Sequence, residues 1–539
     1  MSSQFVFDHY PMPPKGVPNG WTIASIGQVA KLVASGFPSG EHNQQQRGIP
    51  HIRPMNINRD GYLDLSTLKY VEGDVPRELS KGDVLFNNTN SPDLIGKTTA
   101  VLIDGRLGYS NHMTRIQLEA GMNPVFVARQ LHFFWMTGYF RHRCVNHVNQ
   151  ASISADPLSE TVPLLVPPTS EQNRIADVLD ELLSDLDAGV AAMEQVRVKL
   201  AQYRASVLKA AVEGTLTAEW RQQQPHIEPA SELLKRILAE RRRRWEEEQL
   251  RRFRRKGQVP TANWNSKYKD PATPATRSLP TPPQGWCWVT LDQLASLVTS
   301  GSRGWKEYYA ETGPVFIRSQ DIRTDRLNLG DVAHVSPPKN SEGVRTEVRC
   351  GDLLVTITGA NVAKAARVEG ELSEAYVSQH VGLVRLLEPA MGNFVHIYAV
   401  APSGGRKLLL AAAYGAGKPG LNLDNLRELP IPLAPVAEQD AIIEAVEDQL
   451  SVIEHLRDDL DAQVRSAQAL RHSILRHAFT GQLVPQDSND EPASELLKRI
   501  AAERETRARE SGAAKRAPVD ASAPRLAARR PRKKRTKES

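Results

Sequence analysis

The chain of 539 residues is too long for one ordinary core and suggests two to four domains, and its 40% hydrophobic and 24% charged residues are ordinary globular composition. No apolar run approaches the ~18 residues of a membrane helix. The opening MSSQFVFDHYPMPP lacks the basic and apolar regions of a signal peptide, so a cytoplasmic protein without membrane contact is expected. Cys144, Cys287 and Cys350 are scattered with no C-x-x-C spacing, which suggests neither a disulfide framework nor a zinc site. The formal charge of +6 is uneven: residues 515–539 carry a net +8, so the remainder sums to −2. A body this close to neutral binds nucleic acid through local patches, or with a partner that shares the phosphate contacts.

The dominant feature is an internal repeat. GWTIASIGQVAKLVASG from Gly20 matches GWCWVTLDQLASLVTSG from Gly285 at an offset of 265, which persists through Gly48/Gly313, Ile52/Ile317, Arg53/Arg318 and Ile57/Ile322. KGDVLF at 81–86 matches CGDLLV at 350–355, and Ser110 and His112 match Ser378 and His380. From Pro163 the offset settles at 267, pairing Glu171/Glu438, Gln172/Gln439, Arg204/Arg471 and Gly214/Gly481. EPASELLKRI occurs literally at 228–237 and at 491–500. Three matches in the same order make the chain a tandem duplication.

In chain order, residues 1–16 form an N-terminal extension. Residues 17–167 combine short β-like runs such as DVLF with turn signals such as NRDG, which predicts an α+β domain. It exits through TVPLLVPP into a long helix over 168–216, where Thr169 and Gln172 fit a capping box. A charged helix over 228–256 and a Pro- and Thr-rich linker over 257–281 follow. A second α+β domain spans 282–434 and a second long helix 435–483. A short charged helix over 491–510 and a disordered basic tail over 511–539 end the chain. Apolar residues recur from Ile175 to Val207, and from Val446 to Ile474, mostly with the three-and-four spacing of a coiled-coil seam. Each stripe would ordinarily pack on its own domain. A length of ~63 Å at 1.5 Å per residue and the presence of a matching helix favour an antiparallel pair related by a pseudo-two-fold axis.

This layout resembles the specificity subunits of type I restriction-modification systems over roughly residues 15–485. The resemblance rests on the G-W opening with its following S-G, the I-R strand, the G-D-(V/L)-L strand, the proline-rich exits and the P-x-x-E-Q start of each long helix. It implies two target-recognition domains, each reading part of a bipartite double-stranded DNA sequence, with the helices fixing the unspecified gap. It also implies two modification subunits that methylate adenine with S-adenosylmethionine, and two motor-nuclease restriction subunits that use ATP and Mg. This chain would bind no cofactor itself. No G-x-x-x-x-G-K-[ST] loop is present, since GAGKPG at 415–420 lacks the spacing. The nearest approach to an amino-methyltransferase motif, Ser336-Pro337-Pro338-Lys339, lacks the aromatic that would stack on a flipped base. No clustered nuclease carboxylates and no H-E-x-x-H are evident, so no catalytic residue and no metal ligand is assigned.

Base readout uses forked or amide side chains: Arg for guanine, Asn or Gln for adenine. Asn87, Asn88, Thr89 and Asn90 follow a predicted strand, where they make either a DNA-contacting loop or a plain turn. Their counterparts, Thr356, Thr358 and Asn361, differ in sequence, as readers of different half-sites should. Lys97 and Lys364 suit phosphate contacts or simple solvation. His112 and His380, preceded by Asn111 and Gln379, are candidate contacts or satisfied core histidines. Arg141, Arg143 and Asn149 lie in a basic, amide-rich segment near the domain exit, and Lys418 is its positional analogue. Arg53 and Arg318 fit a structural salt bridge at least as well as DNA. In RRRRWEEEQLRRFRRK at 241–256, Glu247/Arg251 and Glu248/Arg252 have the favourable helical order, which reads as a solvated salt-bridged helix or a partner-docking one. A coiled-coil scaffold without base reading, and an unrecognised DNA nuclease, are the competing readings.

Overall fold

The computed structural model describes residues 16–514 except positions 40, 74, 149, 324, 337–344, 371 and 416; the N-terminal extension up to residue 15, Asn149, most of the Ser336–Lys339 motif and the tail from residue 515 lie outside the described residues. Among the described residues no helix is long and apolar enough to cross a membrane. The chain divides into two compact units, one made of residues 1–191 and 463–539 and the other of residues 192–462. The two long helices, Thr169–Val212 and Val436–Phe479, therefore each contribute one half to each unit.

In the first unit Thr22–Ser25 pairs antiparallel with Pro163–Val166, bringing the entry and exit of the domain side by side. Ser25 and Gln28 form a capping box on the short helix that follows. A four-stranded antiparallel sheet orders Ala30–Ser35, Met113–Leu118, Val84–Asn87 and Thr98–Ala100. In a second four-stranded sheet Ile49–Ile52 runs parallel to Leu107–Tyr109. Pro124–Met136, capped by Asn123, packs its Phe126, Leu131 and Phe133 into the main core.

The second unit repeats this plan. Cys287–Thr290 pairs with Pro430–Leu433, and Thr290 and Gln293 cap the next helix. The sheet of Ala295–Ser300, Val381–Leu386, Leu353–Thr356 and Ala365–Arg367 has the same strand order as its counterpart. Tyr309–Ile317 runs parallel to Ala375–Val377. Asp83 and Asp352 of the repeated G-D element serve the two domains alike. Each is buried, accepts from a backbone N–H three residues earlier and pairs with an arginine, Arg115 or Arg385, on the neighbouring strand.

Both long helices begin alike, although only one has a threonine at the start. The capping box expected at Thr169 is not formed: its hydroxyl donates to the Gly121 carbonyl at 2.9 Å. Gln172 Nε2 instead reaches back to the Pro167 carbonyl, and Gln439 Nε2 to the Ala434 carbonyl, so the glutamine of P-x-x-E-Q ties the domain exit to the first turn of the helix in both copies. Both helices end on a left-handed glycine, Gly214 at φ +70° and Gly481 at φ +68°. A Cβ there would meet Pro283 Cγ or Pro18 Cγ at 2.7 Å.

Within each unit the two helix halves are antiparallel neighbours. In the first, Ile175, Leu179 and Leu183 share a core with Leu475 and Phe479, and Arg471 pairs with Asp187 and Asp60. In the second, Leu208 and Ala211 share a core with Ile442 and Val446, and Arg204 faces Asp325 at 3.9 Å. Asp60/Asp325 and Arg471/Arg204 are thus one repeated clasp. Several seam residues, Leu182, Val196, Tyr203, Leu456 and Leu470, remain exposed.

The two EPASELLKRI segments dock crosswise. Ala230–Arg255, which follows the first long helix, packs on the second domain: Ala230 N–H donates to the Gly285 carbonyl, and Leu233 and Ile237 join its core. Ala493–Ala514 packs on the first domain through the equivalent bond to the Gly20 carbonyl, with Leu496 and Ile500 buried. Arg241 and Arg504 then donate to the equivalent carbonyls of Ala295 and Ala30. Beyond this docked start the first of these helices carries exposed pairs such as Arg243–Glu247 and Arg252–Glu248, as a solvated salt-bridged helix does, and the docking seen is on its own chain. The expected linker contributes Trp264 and Tyr268, which pack against Trp245 of that helix.

The second unit is fastened at Glu438, which is fully buried. Its carboxylate accepts from Trp286 Nε1 at 2.8 Å, Thr217 Oγ1 at 2.7 Å and Arg221 Nε at 3.0 Å. Arg221 also donates to the Gly214 carbonyl that ends the first long helix. Arg221→Ala is expected to destabilise the second unit by about 3 kcal/mol, because a buried carboxylate loses its cation. Arg197→Ala, which breaks the exposed pair with Asp461, should leave the denaturant midpoint nearly unchanged. Denaturant midpoints of the two variants check both expectations.

Candidate nucleic-acid interface

The strand Val84–Asn87 is buried along its whole length, and this decides the fate of the polar residues that end it. Asn87 is fully buried and donates to the Leu94 carbonyl at 2.9 Å. Asn88, also buried, donates to Thr114 Oγ1 at 2.8 Å and to the Asn111 carbonyl at 3.2 Å. Both side chains are turned into the domain, with Asn87 Oδ1 buried and without a hydrogen-bond partner among the described residues. Thr89–Asn90 pairs with Ala151–Ser152, and Asn90 reaches the surface.

Lys97 is buried as well, and its ammonium donates to the carbonyls of Pro54 and Ile57. Burial lowers its pKa. It braces the turn that follows Arg53 and is not placed for a phosphate. In the second domain Asn361 makes the corresponding bond, Nδ2 to the Ser319 carbonyl at 3.3 Å, and Lys364 is half-buried. Thr356 is fully buried, whereas Thr358 bridges to Gly420 at the surface.

The repeated arginines diverge. Arg318 is held by both carboxylate oxygens of Asp321 at 3.0 Å, a structural salt bridge. Arg53 has Asn56 at that position. Its Nη2 donates to the Thr67 carbonyl at 3.1 Å, and no ion pair to it is found among the described residues. Burial lowers the Arg53 pKa, the response of a cation without a counter-ion.

Arg53 lines a cleft of about 700 Å³ together with His42, His51, Asn90, Asn111 and His112, and Lys97 closes one side of it. Four residues picked out from sequence, Asn90, Lys97, Asn111 and His112, thus meet in one concavity. His42 Nε2 and His51 Nδ1 lie 3.0 Å apart, and His51 packs on Phe37. Burial, then the neighbouring His42, brings His51 down to about 4; burial and Arg53 lower His42. A pair of neutral imidazoles presents donor and acceptor atoms without fixed charge.

Arg141 is exposed and paired with Asp93 at 3.1 Å, while Arg143 lies over the Tyr139 ring at 3.7 Å, so both brace the segment before the exposed strand Val145–Asn146, which pairs with Ala151–Ser152. In the second domain Gln379 and Lys418 are exposed beside His380, whose pKa is lowered by burial and then by Lys418. The loop carrying Lys418 is pinned to Thr358 and Gly359, so Thr358, Gln379, His380 and Lys418 share one surface region. Among the described residues no group of three metal-ligating side chains is assembled.

The amide-rich loop HNQQQR at 42–47 is absent from the residues singled out by the repeat. Its composition is the signal that could have found it. Its second-domain counterpart is unlike it, so matching the two halves passes over it.

Fully buried His132 is neutral: Nδ1 accepts from Thr98 N–H, Nε2 faces the Arg59 carbonyl, and burial brings its pKa down to about 3. Because His132 and His51 both titrate below the ordinary histidine value when folded, the unfolded chain takes up protons first. Stability present above pH ~6.5 is lost as pH falls toward about 3 for His132 and about 4 for His51. Between pH 7 and 5 each should cost the first unit on the order of 2 kcal/mol. Amide exchange of Pro124–Met136 in the full chain should be correspondingly faster at pH 5, after correction for intrinsic rates.

No protein-family model matches the chain. Over 519 residues, 90% of this chain and 96% of the relative, it is 22% identical to the EcoKI type I restriction enzyme specificity subunit of Escherichia coli. It is 23% identical over 500 residues to the EcoBI specificity subunit of Escherichia coli, covering 90% of this chain and 93% of that one. A solved chain from a study of complex assembly and conformational transition in a type I R-M system aligns with a TM-score of 0.56 at 15% identity, over 87% of this chain and all of that one. That likeness establishes the fold.

Proposed function

We propose that this chain, a type I restriction-modification specificity subunit by its likeness to such subunits over nine tenths of its length, reads a bipartite DNA target with one domain for each half-site. It is a non-catalytic subunit. The observation that carries the two-reader reading is the pattern of identity and difference between the halves. Frame positions repeat, as in Asp83/Asp352 and the crosswise docking of the EPASELLKRI helices, while surface positions diverge. Duplicated readers of unequal half-sites require that division.

In this reading residues 17–167 and 282–434 are the two target-recognition domains, and the long helices pair as an antiparallel coiled coil that sets the gap. Successive major grooves on one face lie ~34–36 Å apart, a span that helices of 44 residues can bridge. Double-stranded DNA, two modification subunits and two restriction subunits are the partners. S-adenosylmethionine, ATP and Mg serve those subunits, and none is bound by this chain. A body of net −2 leaves much of the phosphate grip to those partners.

The test is single-molecule sequencing of DNA from a host carrying the chain with its cognate methyltransferase. A gapped two-part adenine motif is expected, with neither methylation nor Mg-dependent cleavage by the purified chain alone. A continuous motif, or cleavage by the chain alone, contradicts the reading.

A further inference from the structure

The loop at 41–47 is built to display three glutamines. Asn43 staples it: Nδ2 donates to the Arg47 carbonyl at 2.9 Å, Oδ1 accepts from Arg47 N–H at 3.1 Å, and its backbone pairs both ways with Tyr70. Arg47 is tied to Glu72 at 3.0 Å. The exit passes through Gly48 at φ +91°, where a Cβ would sit 2.1 Å from the Val71 carbonyl. The crown between these ties, Gln44, Gln45 and Gln46, is exposed, and among the described residues none of the three has a hydrogen bond to the body of the domain. Gln46 has φ +59°, a conformation that a non-glycine residue rarely adopts.

The linings of the two clefts beside the crown carry one sign of charge. Gln44 and Gln46 line a cleft of about 590 Å³ with Arg53, Met55 and Lys69. Arg53 and Met55 also line the cleft of His42, His51, Asn111 and His112. Among the described residues neither cleft is lined by a carboxylate, in a chain whose body is slightly acidic. An amide crown flanked by an unpaired guanidinium and a lysine has the parts for base-edge contact with phosphate anchoring at its sides.

The second domain keeps the base of this loop and changes its crown. Gly313, the equivalent of Gly48, is also left-handed and closes on the Val335 carbonyl. The register shift between Ala310 and Val315 throws out a different segment, with Tyr309, Ala310 and Glu311 where the first domain has Gln44, Gln45 and Gln46. The frame is shared and the displayed chemistry is not.

We propose that Gln44, Gln45 and Gln46 determine specificity for the first half-site, by amide pairing with the N6 and N7 edge of adenine in the major groove. This rests on the two-reader function above. The experiment uses the full chain with its cognate methyltransferase in a host. The motif is read for wild type, for Gln44→Ala, Gln45→Ala and Gln46→Gly singly, and for the triple variant. Gln46→Gly removes the amide while keeping the left-handed backbone.

The expected result is loss of discrimination at one or more A·T positions in one half of the motif, so that sites carrying the other bases there are methylated to a comparable level. The other half and the gap stay unchanged. An unaltered motif overturns the proposal, as does a change in both halves or in the gap. If the triple variant abolishes methylation, the single variants decide: relaxation by at least one supports the proposal, and relaxation by none overturns it. A wild-type motif that is not bipartite would instead overturn the two-reader function.

Discussion

A buried carboxylate satisfied by donors from two other stretches of chain is the constraint on which the second unit depends. Glu438 opens the second long helix, Trp286 opens the second domain, and Thr217 with Arg221 follow the first long helix. Withdrawing a carboxylate from water is unfavourable unless all of these donors are present together. The knot therefore fixes the end of one helix to the start of the other and both to one domain. The first unit carries the related pair Glu171 and Trp21. There burial raises the Glu171 pKa, the adjacent indole opposes that shift, and Arg174 is drawn to Asp490 at 2.7 Å. The two fastenings are alike in place and differ in their hydrogen bonds.

From that constraint follows the separation of frame from display. Residues that satisfy buried backbone or bury charge recur in both halves: the G-D aspartates, the helix-starting glutamines and the arginines that donate to Ala30 and Ala295. Residues that face open clefts differ. Arg53 and Arg318 show the change within one repeated position. Substitution of an aspartate by Asn56 turns a structural ion pair into an unpaired cation beside a cleft.

Much of this is legible in the sequence. The duplication, the two long helices and their glycine ends follow from self-similarity and periodicity, and the domain exits from their prolines. The crosswise docking is not, because EPASELLKRI follows its long helix in the chain and nothing local says that it packs on the other copy's domain. Sequence alone directs Asn87, Asn88, Lys97 and Thr356 toward solvent because polar residues after a strand usually leave the core. Here the turn after Arg53, the Leu94 carbonyl and the Thr114 hydroxyl take up inward-facing donors, while Thr356 is buried with its hydroxyl unpartnered among the described residues. Conversely Asn90, Asn111 and His112 do line a surface cleft, with the glutamine crown beside it, and Gln379, His380 and Lys418 share one surface region of the second domain.

The central claim is that each half of the chain carries its own address, independent of the other. Exchange of residues 17–167 for the corresponding domain of a relative with a different target tests it most directly, with the methylated motif read by single-molecule sequencing of the host. The account predicts that one half of the motif changes to that of the donor while the other half and the gap remain. An unchanged motif, or one altered in both halves, would contradict it.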